Sequence, residues 1–120
     1  MKIRLIIVII LLIILSTITY AGDPAVRIGD QFVTQCGPGY IIIGSPTVLI
    51  NGVPAVRLND PAGGGLVIGG FVSTASTSIL IDNMPAARMV DIVTGMCLLT
   101  GIPVPFSGPF IQGSPNVFIG

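Results

Sequence analysis

"VPAVRLND" at residues 53–60 is one of three near-copies of a single phrase, the others being "DPAVRIGD" at 23–30 and "MPAARMVD" at 84–91. The proline-to-proline steps are 30 residues, Pro24 to Pro54, and 31 residues, Pro54 to Pro85. A second phrase travels with the first. "GSPTVLINGVP" at 44–54 aligns with "ASTSILIDNMP" at 75–85, and "GSPNVFIG" at 113–120 is a third copy. A fixed period of this size marks a repeat architecture. The chain reads as three units, each opening on Pro-Ala-x-Arg and closing on a GSPxVxI-type phrase.

Each unit is built for short strands. The apolar run "TVLI" meets Asn51-Gly52, the strongest short hairpin signal, because both residues tolerate positive φ. "SILI" meets Asp82-Asn83, a weaker version of the same turn. Proline then opens the next phrase at a strand start or edge, where its missing amide costs nothing. "GYIIIG" at 39–44 and "GLVIGG" at 65–70 are further short strands. Such a unit cannot bury its apolar side alone, so three copies closing around an axis are expected. The third unit is longer. The excess falls around "LLTGIPVPFSGPF", within residues 98–112, where three prolines argue against a regular central strand and for an extended loop.

Composition agrees with this reading. Gly 16, Pro 10 and a charged fraction of 8 % suit β-strands and tight turns, not helices. Net charge is zero, which excludes a strongly basic surface and makes nucleic acid an unfit partner. With no His, no Glu and Lys2 as the sole lysine, no general acid–base set is in view, so the chain is not expected to be an enzyme. Gly63-Gly64-Gly65 lacks the lysine and helix of a phosphate loop and reads as a turn.

Residues 1–22 stand apart. Lys2 and Arg4 precede "LIIVIILLIIL" and then "STITYAG", with no charge before Asp23. The pattern fits a secretory signal peptide, with Thr19 at the minus-three position of the cleavage site. It also fits a retained membrane anchor, since a spanning helix needs roughly 20 apolar residues. A buried core helix is the third reading. The domain expectation is a hydrophobic signal or membrane segment over 1–22 and a repeat domain over 23–120.

Arg27, Arg57 and Arg88 are the only cations after that segment, and Asp30, Asp60 and Asp91 each follow three residues later. In an extended chain, positions i and i+3 face opposite ways, so pairing with a neighbouring unit is expected over pairing within the phrase. Internal pairing and the docking of a charged ring onto a threefold partner are both open. Cys36 and Cys97 each lie 12 residues past their Pro-Ala-x-Arg proline. A disulfide, two buried thiols and half of a metal site are the alternatives.

The literal "PAAR" at 85–88, with "GSPTVLINGVPAVRLND" and "GSPNVFIG", closely resembles the PAAR-repeat (proline-alanine-alanine-arginine) proteins, over roughly Asp23 to Gly120. The resemblance implies an all-β, pseudo-threefold cone of short antiparallel hairpins, here preceded by a hydrophobic N-terminal helix. It implies a structural tip that caps a trimeric β-helical spike and sharpens it for membrane puncture, in a type VI secretion system or contractile phage tail. The implied partners are a trimeric valine-glycine-repeat-type or phage spike protein, a target membrane, and an effector or chaperone. The implied location is the tip of an extracellular injection apparatus or virion tail, membrane-associated or secreted. The family's cone holds a metal near its apex through three His and one Cys. A chain without histidine departs from that pattern, which argues against zinc. The rival reading is an exported or membrane-anchored β-repeat binding module unrelated to injection.

Overall fold

The computed structural model describes residues 22–120. The hydrophobic segment, with its expected helix, lies outside the described residues save for Gly22. Among the described residues every regular element is a strand. They are β1 (Asp23–Pro24), β2 (Gln31–Thr34), β3 (Gly37–Ile41), β4 (Leu49–Ile50), β5 (Val53–Pro54) and β6 (Ala62–Gly63). The chain continues through β7 (Val67–Val72), β8 (Leu80–Ile81), β9 (Met84–Pro85), β10 (Ile92–Leu99), β11 (Ile102–Pro109) and β12 (Phe118–Ile119).

The three Pro-Ala-x-Arg phrases form a ring. Ala25 bridges Arg88, Arg27 bridges Ala55, and Arg57 bridges Ala86, so each phrase pairs with both others. The central hydrogen bonds run in one direction around it: Val56 N donates to Val26 O at 3.0 Å, Ala87 N to Val56 O at 2.9 Å, and Val26 N to Ala87 O at 3.1 Å. That cycle defines the pseudo-threefold axis expected from the period. It also explains the phrase. Ala25, Ala55 and Ala86 are fully buried on one side of the ring, where they pack with Ile50, Ile81 and Ile119. Val26, Val56 and Ala87 are fully buried on the other side, in a larger core with Phe32, Ile41, Val72, Val93, Phe106 and Phe110.

On the alanine side sit three pairs of two-residue strands, two of them hairpins. β4–β5 turns at Asn51 (φ 55°) and Gly52 (φ 78°), and β8–β9 at Asp82 (φ 52°) and Asn83 (φ 63°). These are the left-handed pairs that a type I′ turn requires, as the sequence predicts. The third pair, with no turn between its strands, is β12 with β1, Ile119 opposite Asp23 and Phe118 opposite Pro24, so the last strand meets the first described one.

On the valine side lie two three-stranded sheets, β2–β3–β6 and β7–β10–β11. Isolated bridges Phe32 to Phe110 and Pro61 to Phe71 join them beside the ring. The segment expected to be a loop is instead the longest hairpin, β10–β11, with Leu99 opposite Ile102 across the turn Thr100-Gly101. The prolines do not break it because Pro103, Pro105 and Pro109 occupy alternate positions. Along a strand, successive amides point to opposite edges, so all three absent donors fall on the edge away from β10.

Candidate docking and apex sites

The three Arg–Asp pairs form within the phrases, which corrects the expectation of pairing between units. The chain is not extended there. Asp30 N donates to Arg27 O at 3.0 Å, Asp60 N to Arg57 O at 3.2 Å, and Asp91 N to Arg88 O at 2.9 Å. Each is a four-residue turn whose third residue has positive φ, namely Gly29 at 90°, Asn59 at 69° and Val90 at 73°. The turn swings the aspartate back over its own arginine. Arg57 Nε and Nη2 reach Asp60 Oδ2 and Oδ1 at 3.2 and 2.9 Å, and the Arg57 amide donates to the same carboxylate at 2.7 Å. Arg27–Asp30 and Arg88–Asp91 repeat the arrangement. Hydrogen bonding to these carboxylates raises the guanidinium pKa at all three arginines, against the opposing effect of burial. The aspartates are buried, so these pairs are the ring's internal cement.

A second polar set closes the base strand pairs, and sequence reading missed it. Ser45, Ser76 and Ser114 are buried at equivalent places. Each hydroxyl accepts amides two and three residues on, for example from Asn116 at 3.3 Å and Val117 at 2.9 Å. Each also donates across to the next unit's turn: Ser114 to Asn51 Oδ1 at 2.6 Å, Ser45 to Asp82 Oδ2 at 2.5 Å, and Ser76 to Gly120 O at 2.5 Å. Asp82 further accepts from Thr47 and from Arg57 Nη1. The serine and threonine hydroxyls, and then Arg57, hold its carboxyl below the usual range. The repeated serine of the GSPxVxI phrase was the available signal.

Cys36 and Cys97, 61 positions apart in the sequence, form a disulfide that ties the β2–β3 turn to β10. It selects one of the three open alternatives. The quasi-equivalent Leu66 lies alongside, its carbonyl accepting Leu98 N at 2.8 Å. Metal ligation does not fit this donor set. The sequence offers no imidazole, the two sulfurs are bonded to each other, and the described residues hold no cluster of three or more His, Cys, Asp or Glu.

Two ends are therefore distinguished. The alanine side, or base, presents Leu49, Leu80 and Phe118 at equivalent positions, exposed by 59, 60 and 50 %. The valine side, or apex half, carries the disulfide. Among the described residues there is no ligand-sized pocket and no helix long and apolar enough to cross a membrane.

The family model for the PAAR motif matches residues 12–68, which include the first two Pro-Ala-x-Arg phrases and the first GSPxVxI phrase. The match makes the chain similar to the PAAR-motif family across just under half of its length. No curated protein matches the chain. The family match falls on the ring and the first base hairpin. The third phrase, the one spelled PAAR, completes the ring through bridges to the other two.

Proposed function

We propose that this protein is the structural tip of a contractile injection system, seated by its base on a trimeric spike. PAAR-motif proteins are structural and cap a spike of the valine-glycine-repeat type. The observation that carries the reading here is the base itself. Leu49, Leu80 and Phe118 are exposed at three equivalent positions around the axis. A single chain thus offers nearly the same apolar contact three times, which is what a threefold partner can match. The Arg–Asp pairs, for which the sequence left internal pairing and docking both open, close within their own turns and support the fold behind that face. Exposed apolar anchors of this kind are the residues whose truncation costs an interface most.

Mixing the full chain with a candidate trimeric spike and measuring mass by light scattering tests this. One tip per three spike chains is expected. Leu49→Asp, Leu80→Asp or Phe118→Asp should each weaken the complex at least about tenfold while leaving the circular dichroism unchanged. Tight binding by all three variants would refute the base as the docking face. The disulfide favours a second reading, an exported β-repeat binding module, because such bonds persist in oxidising compartments. That reading gains if no trimeric spike binds the unmodified chain.

A further inference from the structure

All eight charged residues between Gly22 and Gly120 sit in the ring, its turns or the base: Asp23, Arg27, Asp30, Arg57, Asp60, Asp82, Arg88 and Asp91. The apex half, residues 31–43, 61–72 and 92–110, has none. Its surface is instead studded with apolar side chains. Ile42 is 52 % exposed, Leu66 49 %, Ile68 55 %, Leu99 40 % and Ile102 62 %. Leu99 and Ile102 flank the Thr100-Gly101 turn at the end of the longest hairpin. The ends of the three hairpins lie together. Cys36 is bonded to Cys97, Leu98 N donates to Leu66 O at 2.8 Å, and Gln35 Nε2 donates to Pro105 O at 2.9 Å.

Two costs normally keep a protein surface out of hydrocarbon, namely desolvating charge and stranding backbone amides. The first is absent here because there is no charge to desolvate. The second is small. β10 is paired along both edges, and the outer edge of β11 has lost three donors to proline. No buried side-chain nitrogen or oxygen among the described residues lacks a hydrogen bond. The same prolines remove the sheet edge on which a second copy would pair. The apex half exposes a few polar side chains, Gln31, Gln35, Tyr40, Thr100 and Ser107 among them, but no charged one.

We propose that the apex half inserts into lipid hydrocarbon at equilibrium, led by the Leu99–Ile102 turn, regardless of headgroup charge. The spike-tip reading is needed only to say which membrane it meets. Entry is then favourable in itself as well as driven by force from behind.

The chain has no tryptophan, which makes a site-specific reporter simple. Full-length chains bearing Ile102→Trp, Leu66→Trp or, at the base, Phe118→Trp are mixed with neutral phosphatidylcholine vesicles containing lipids brominated along the acyl chain. Emission from positions 102 and 66 should shift to the blue and be quenched, equally with neutral and anionic vesicles and in high salt, while position 118 is not. Depth is read at each reporter, so any membrane affinity of residues 1–21 does not mimic the result. Adding Leu99→Asp to the Leu66→Trp chain should reduce quenching about tenfold or more. Absence of quenching at both apex reporters overturns the proposal, as does quenching confined to anionic vesicles. A blue shift that grows with protein concentration before lipid is added also overturns it, by naming a second copy as the occupant. Spike binding is scored separately. Lost insertion with spike binding intact sinks this inference alone, and lost spike binding with insertion intact sinks only the docking reading.

Discussion

Val90 shows how closely the turn chemistry is constrained. It takes φ 73° at the position where the other two units place Gly29 and Asn59. A β-branched residue in the left-handed region is strained by about 1–2 kcal/mol. Val90 is also 59 % exposed, so its side chain contributes little packing. Val90→Asn should therefore stabilise the protein by about 1 kcal/mol, raising Tm by several degrees in a thermal melt. The turn it relieves holds Asp91 against Arg88. The opposite outcome is expected at Arg57, whose removal strands the buried Asp60 carboxylate. Arg57→Ala should cost about 3 kcal/mol in a urea titration, with Asp60→Asn substituted in the same chain recovering part of the loss. Asp82 sets a pH dependence. Its carboxyl is lowered by hydrogen bonds from Ser45 and Thr47 and then by Arg57, so its contribution is present above the ordinary aspartate range and lost as pH falls through the depressed folded value. Asp82→Asn should flatten the acid limb of stability against pH relative to the unmodified chain. An identical limb in both chains would show that Asp82 is not the group responsible.

Among the elements, the hairpins divide into those legible from sequence and those not. Asn51-Gly52 and Asp82-Asn83 were readable because a turn of this kind is a local demand on φ, and these residues meet it in any context. The β10–β11 hairpin was not. Its turn, Thr100-Gly101, is followed by prolines that locally argue against a strand. Only the side of β11 on which β10 pairs reveals that the missing amides are not needed. The disulfide belongs to the same scale, since it joins one hairpin turn to the strand of another. Closing a loop of this length in the unfolded chain is worth about 4 kcal/mol in the chain-entropy account. Reduction, or Cys36→Ser with Cys97→Ser, should lower stability by about that amount in a denaturant titration. The base hairpins and ring should retain their slow amide exchange. Equal destabilisation of every amide would show that base and apex half unfold as one unit.

For the whole molecule, the ring of Pro-Ala-x-Arg phrases sets two unlike ends back to back. Alanine on one face admits the close approach of three small strand pairs, and valine on the other supports two larger sheets around Phe32, Phe106 and Phe110. The charges gather at the ring and base, leaving the apex half neutral and apolar. Rigidity follows from covalent and polar ties at every level: the disulfide at the apex, the Arg–Asp turns in the ring, and the serine hydroxyls at the base. In the proposed reading the base docks on a trimer and the apex half meets lipid.

The sequence by itself determined the threefold period, the β class, the two base turns and the identity of the ring residues. These follow from spacing and from local backbone preference, which need no partner to be read. Only the tertiary structure decided that each arginine binds its own aspartate, that the two cysteines join, and that Leu49, Leu80 and Phe118 share one exposed end. Those outcomes depend on side-chain direction after a turn and on contacts between residues tens of positions apart. Neither is fixed until the three units close around their common axis.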